Sequence, residues 1–169
     1  MAKPSEQSTP EFYRNYIRLL PEDTIESILI SSEQDTLETL MTLNDAQAEK
    51  AYAEGKWSIK ELIQHIIDAE NVFNSRALWI ARKSQVDLPG FDHNQWVAES
   101  NANSFKLSKL LQDYTTMRAH SIATFSKFSD EQLQQIGTAN GHEMSCNLFG
   151  YLISGHNLHH LEVIKERYL

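Results

Sequence analysis

Four stretches of this 169-residue sequence place apolar residues three and four positions apart, and none alternates apolar with polar residues over the length of a strand. The first period belongs to a helix buried on one face and the second to a half-buried strand, so the chain is expected to be all-α. The first stripe (Ile25, Ile28, Leu29, Leu37, Leu40, Met41) follows Pro21, with Glu22 and Asp23 where a helix start favours acid, and runs to about Leu43. The second has the clearest start in the chain. Ser58 and Glu61 form a capping box, and Ile59, Leu62, Ile63, Ile66, Ile67, Val72 and Phe73 carry the helix to about Arg82. The third begins near Ser104 with Leu107, Leu110, Leu111, Tyr114, Met117, Ile122 and Phe125. The fourth follows a Ser145 cap with Leu148, Phe149, Leu152, His156, Val163 and Ile164.

Four amphipathic helices predict a four-helix bundle. Between its second and third helices lies a lengthy connection, Lys83 to Asn103, and such loops without regular structure are commonly functional. Residues 1–10 read as a flexible tail and 11–169 as one domain. Glu11 to Leu20, with Phe12, Tyr13, Tyr16, Ile17 and Leu20, is a helical or extended lead-in that packs on the domain and is ended by Pro21. Ser129 with Gln132 predicts a short capped helix stopping at Gly137, and Thr138 to Glu143 a turn.

The composition excludes several classes. No run approaches the roughly 18 apolar residues of a membrane-spanning helix, and Met1 to Pro10 lacks the apolar centre of a signal peptide. A formal charge of -8, from 15 basic and 23 acidic residues, with no Lys/Arg cluster, argues against a grip on nucleic acid. The single cysteine, Cys146, permits no internal disulfide. A cytoplasmic protein acting on a small molecule is expected.

The chemistry concentrates near the C-terminus. In Gly155-His156-Asn157-Leu158-His159-His160-Leu161, three of the chain's seven histidines fall within five residues. Residues four apart share a helix face, so His156 and His160 can aim at one point; His159, three after His156, is the alternative partner. Helical periodicity turns His65 inward on the second helix, making it the candidate third ligand. Three neutral imidazoles leave a coordination position open, as catalytic sites do, and zinc and nickel both suit imidazole. Asp68, three residues after His65, and His93 in the long connection are candidate bases, Asp68 also as an orienting partner for His65. Glu70 and Arg118 can pair in the interior or be ordinary surface charges. Cys146 is expected outside the site, Trp79 in the core, and Phe91 and Trp96 either as a pocket wall or as core.

The blocks Lys56-Trp57-Ser58-Ile59-Lys60-Glu61, His65 with Asp68, Glu70 and Arg76, Leu88-Pro89-Gly90-Phe91-Asp92, Gly155 to His160 and Glu166-Arg167-Tyr168-Leu169 together resemble the DinB/YfiT-like superfamily. The resemblance covers Glu11 to the last residue. It implies an up-down-down-up bundle, often homodimeric, with a divalent metal held by His65, His156 and His160. Relatives with known chemistry include metal-dependent thiol transferases, which implies a possible low-molecular-weight thiol cosubstrate. His93 departs from the expected pattern and can add an imidazole at the site mouth. Two functions are expected from this reading: a metal-dependent transferase or hydrolase, or a non-catalytic stress-response or metal-binding protein.

Overall fold

The computed structural model describes residues 2–169, with Met1, the first residue of the expected tail, outside the described residues. A 3-10 turn, Glu11–Tyr13, leads into α1 (Arg14–Arg18), followed by α2 (Ile25–Leu40), α3 (Asp45–Ala48) and α4 (Ile59–Ala81). Then come α5 (His93–Glu99), a 3-10 turn at Ala102–Ser104, α6 (Leu107–Phe125), α7 (Asp130–Leu133), the strands β1 (Ile136–Ala139) and β2 (His142–Ser145), and α8 (Cys146–Arg167).

The long helices begin where local chemistry starts them. Ser58 Oγ accepts from Glu61 N at 3.1 Å and Glu61 Oε2 accepts from Ser58 N at 2.7 Å, the expected capping box of α4. Ser129 and Gln132 cap α7 in the same way. Ser145 precedes α8, but its hydroxyl bonds Asn147 Oδ1 at 2.6 Å instead of a backbone N–H. Helix α2 stops at Leu40, short of the expected Leu43, because Asn44 and Gln47 form a further capping box that starts α3.

Two apolar clusters reveal the topology. One joins Ile25, Ile28 and Leu29 at the start of α2 to Phe73, Ala77 and Ile80 late in α4, Phe125 at the end of α6 and Leu148 to Ile153 at the start of α8. The other joins Leu40 at the end of α2 to Ile59 to Ile67 early in α4, Leu107 to Tyr114 early in α6 and Ile164 late in α8. Helices α2 and α8 therefore run one way and α4 and α6 the other, which is up-down-down-up. Helix α4 lies against both α8 and α6, as does α2. Because α4 and α6 are parallel neighbours, the chain between them must return along the bundle, and it does so through α5 and the 3-10 turn.

Between the clusters lies a buried polar layer drawn from all four long helices. Arg118, with no exposed surface, donates to both Glu70 oxygens at 3.0 and 3.1 Å, to Leu29 O at 2.7 Å and to Ser32 Oγ at 2.6 Å. Ser121 donates to Glu70 Oε1 at 2.5 Å, and Ser32 donates to Ser154 Oγ at 3.0 Å. Glu70 and Arg118 are thus an interior pair, not surface charges, and Ser32 is a working member of the α2 face.

Two expectations are corrected. No strand was expected, yet β1 and β2 form an antiparallel hairpin, Ile136 opposite Ser145 and Ala139 opposite His142. Its two-residue turn is Asn140-Gly141, both at positive φ (52° and 75°), the backbone that matches hairpin twist. Trp79 is 46% exposed instead of core, because it lies on the side of α4 turned away from the neighbouring helices. The expected tail is partly tied down. Thr9 is buried, Arg14 Nε donates to Thr9 O, and Lys3 Nζ donates to Leu20 O. Among the described residues no helix is long and apolar enough to cross a membrane.

Candidate metal centre

Helix α4 presents one stripe of side chains, His65, Ala69, Phe73 and Arg76, to a cavity of about 370 Å³. Neighbouring α8 adds His156 and His160, one turn apart. The remaining walls come from the periphery of the bundle: Phe12, Tyr13 and Tyr16 from the N-terminal segment, Trp57, Gly90 and Phe91, His93 at the start of α5, and Asn140 of the hairpin turn. Helix α1 can lie this close to α8 only because residue 155 is glycine; a Cβ there would stand 2.5 Å from Tyr16 O. Close approach sets the Tyr16 ring edge-on to His156, with centroids 5.5 Å apart. Leu88 bonds Thr138 O at 3.0 Å and accepts from Asn140 N at 2.7 Å, which docks the hairpin beside Gly90.

The three predicted ligands converge. One ring nitrogen from each lies within 4.8 Å of those of the other two. His156 Nε2 stands 3.0 Å from His65 Nε2 and 3.0 Å from His160 Nε2. A neutral imidazole nitrogen carries either one proton or one in-plane lone pair. Whichever His156 Nε2 carries, it must be shared between two neighbours, so hydrogen bonding alone leaves the trio under-satisfied. A single cation accepts all three lone pairs. Nitrogens about 2.0–2.1 Å from a tetrahedral zinc ion stand about 3.3 Å apart, close to the two 3.0 Å separations from His156. The donor set fits a divalent metal.

The electrostatics keep these rings ready to donate lone pairs. Burial, with a smaller push from His93, lowers His65 to about 4. Burial, then the neighbouring His65, His159 and His93, lowers His160 to about 3. Burial, then the surrounding histidines, holds His156 well below the usual imidazole range. Trp57, 4.9 Å from His65 between centroids, and Phe73, 5.9 Å from His156, supply much of that dry wall.

The other sequence candidates separate. His93 reaches the cavity with its ring centroid 5.9 Å from that of His65, although the residue is largely exposed. Asp68 is not part of the cavity wall; its Oδ1 accepts from Gln64 Nε2 at 2.9 Å, and burial raises its carboxyl above the usual range. His159 packs on Tyr16 and His160 and lies outside the nitrogen cluster, so the four-residue spacing prevails over the three-residue one. Cys146 is buried against Ala77 O, its thiol pushed up to about 12 by burial, and stands apart from the cavity. Phe91 walls the cavity and packs, tilted by 36°, on the half-exposed Trp96, 4.5 Å between centroids. Tyr13, Tyr16 and Asn140 are site residues that sequence reasoning missed. The Asn-Gly pair was a legible hairpin signal; the apolar residues of the N-terminal segment signalled packing on the domain but not that it would meet this cavity.

Comparison with known proteins agrees with this architecture. The family model of the DinB superfamily matches residues 28–164, a span that contains all three histidines. A candidate metal-dependent hydrolase of Oceanobacillus iheyensis is 28% identical over 131 residues, 76% of this chain and 74% of that protein. Another, of Geobacillus thermodenitrificans, is 20% identical over 120 residues, covering 70% and 67%. YfiT from Bacillus subtilis, a candidate metal-dependent hydrolase with an unusual four-helix-bundle topology, superposes with a TM-score of 0.73 at 16% identity, over 97% of this chain and 90% of its own. The mycothiol-dependent maleylpyruvate isomerase superposes with a TM-score of 0.68 at 14% identity, over 85% of this chain and 60% of its own. These two likenesses establish the fold.

Proposed function

The chain belongs to the DinB superfamily, and from that premise we propose that it is a metal-dependent hydrolase of a small molecule, with His65, His156 and His160 as ligands. One observation carries the reading: two buried imidazoles, His65 and His156, and the half-buried His160 meet nitrogen to nitrogen on the wall of a cavity large enough for a ligand. A scaffold or storage role needs no such cavity. The named relatives of Oceanobacillus and Geobacillus support the choice of hydrolysis.

A divalent cation, zinc or nickel, supplies Lewis-acid activation of the nucleophile when bound. The chain's own residues do the rest. The aromatic walls exclude bulk water and orient the substrate. In this reading His93, at the cavity mouth, accepts a proton from the attacking nucleophile. Cys146, buried and protonated, offers no protein thiolate. A second reading, favoured by the likeness to the mycothiol-dependent isomerase, replaces water by a low-molecular-weight thiol cosubstrate and makes the protein a transferase. The proposal takes the protein as cytoplasmic and homodimeric, with no nucleic-acid or membrane partner.

The test combines metal content with turnover. Purified protein loaded with zinc or nickel should hold about one ion per chain, and His65→Ala should hold far less. Esters, amides and lactones, each with and without glutathione-type thiols, separate the two readings. Turnover that survives complete removal of metal by a chelator would refute both.

A further inference from the structure

Arg76 is 4% exposed and lies on the same stripe of α4 as His65, on the wall of the same cavity. Its guanidinium is always charged and offers five N–H donors. Nη2 donates to Pro89 O at 2.5 Å, while Nε is buried with no partner. Among the described residues no carboxylate lies within ion-pair distance of it. The other buried arginine, Arg118, shows what the fold does with a structural cation: it gives it a two-oxygen carboxylate partner.

The surroundings sharpen the contrast. The protein carries 23 acidic against 15 basic residues, yet none of the residues lining this cavity is Asp or Glu. A buried unpaired charge is costly, and a cavity that keeps one is built to receive its counter-ion. We propose that Arg76 is a substrate-recognition residue and that the substrate is a small organic anion whose carboxylate pairs with it. Tyr13, whose hydroxyl lies beside this guanidinium, supplies a further donor to the same group.

Spacing adds a constraint on that substrate. Arg76 follows His65 by eleven positions, about 16 Å along the helix axis. Helical side chains lean towards the N-terminus, which brings the guanidinium back towards the histidines. The anionic end of the ligand therefore stands several atoms away from the group that reacts. The ligand's being a substrate rests on the function proposed above; the anion site itself does not need the metal.

The experiment titrates chelator-treated, metal-free protein with phenylacetate and with its neutral amide, phenylacetamide, by calorimetry. Phenylacetate should bind about 10- to 100-fold more tightly, the range for a hydrogen-bonded charged pair. Arg76→Gln should abolish that preference, and Arg76→Lys should keep part of it. Equal binding of the two compounds to the unaltered protein overturns the proposal without any variant having to fold. So does an undiminished preference in Arg76→Gln. Metal content, measured separately, decides the histidine site, so each reading can fail alone.

Discussion

The buried pair of Arg118 and Glu70 makes a stability prediction that the structure scales directly. Glu70→Gln preserves side-chain shape but removes the charge and turns an NH2 group towards guanidinium donors. Arg118 has no exposed surface from which water could compensate, and because each Glu70 oxygen accepts from it, the NH2 group meets a guanidinium donor in either amide orientation. Breaking such a pair from one side costs about 3–5 kcal/mol. With a urea dependence of about 2 kcal/mol per molar, the unfolding midpoint should fall by about 1.5–2.5 M, with the slope unchanged. The double variant Glu70→Leu with Arg118→Met, which leaves no charge unpaired, should recover most of that loss. A Glu70→Gln protein within about 1 kcal/mol of the original would refute the view that this layer is a dry, mutually satisfied network.

Gly155→Ala should push α1 from α8 through the Tyr16 carbonyl, costing about 1–3 kcal/mol as over-packing does and weakening metal retention; calorimetric melting and metal analysis check both. Metal-free protein should lose stability on acidification. Its histidines have lowered folded values, near 4 for His65 and 3 for His160, so below the unfolded value of about 6.5 the unfolded chain binds more protons. Stability is then full above that value and falls as pH drops from about 6.5 towards 4, by up to about 1.4 kcal/mol per pH unit for each such group; urea titrations across this window read the slope. Cys146 should resist thiol reagents at pH 8 until the protein unfolds, given its burial and raised value. Metal at 100 times its dissociation constant should add about 2.7 kcal/mol of stability, visible as a higher melting temperature that chelation reverses.

Much of this molecule was legible in its sequence where the signal is local. Ser58 and Glu61 announced α4 because a capping box is written in four residues. His156 and His160 were legible as a pair because helical spacing alone puts them on one face, and the resemblance to a family joined His65 to them across ninety-one positions. What escaped is long-range or easily overlooked. Asn140-Gly141 carried the hairpin signal, but strands of four residues are too short for alternation to show. Trp79 was misplaced because hydrophobicity does not report which side of a helix lacks a neighbour. Arg76 appeared only as part of a family block, since the absence of acid from the cavity it lines exists only in three dimensions. The same holds for α1, whose role depends on one glycine across the groove.

The claim that His65, His156 and His160 jointly bind one cation is tested most directly by X-ray absorption at the metal edge of protein loaded to one ion per chain. The account predicts three imidazole nitrogens at about 2.0–2.1 Å, and two in the His65→Ala variant if that variant is forced to load. A spectrum fitted by a single imidazole, or one unchanged by His65→Ala, would contradict it.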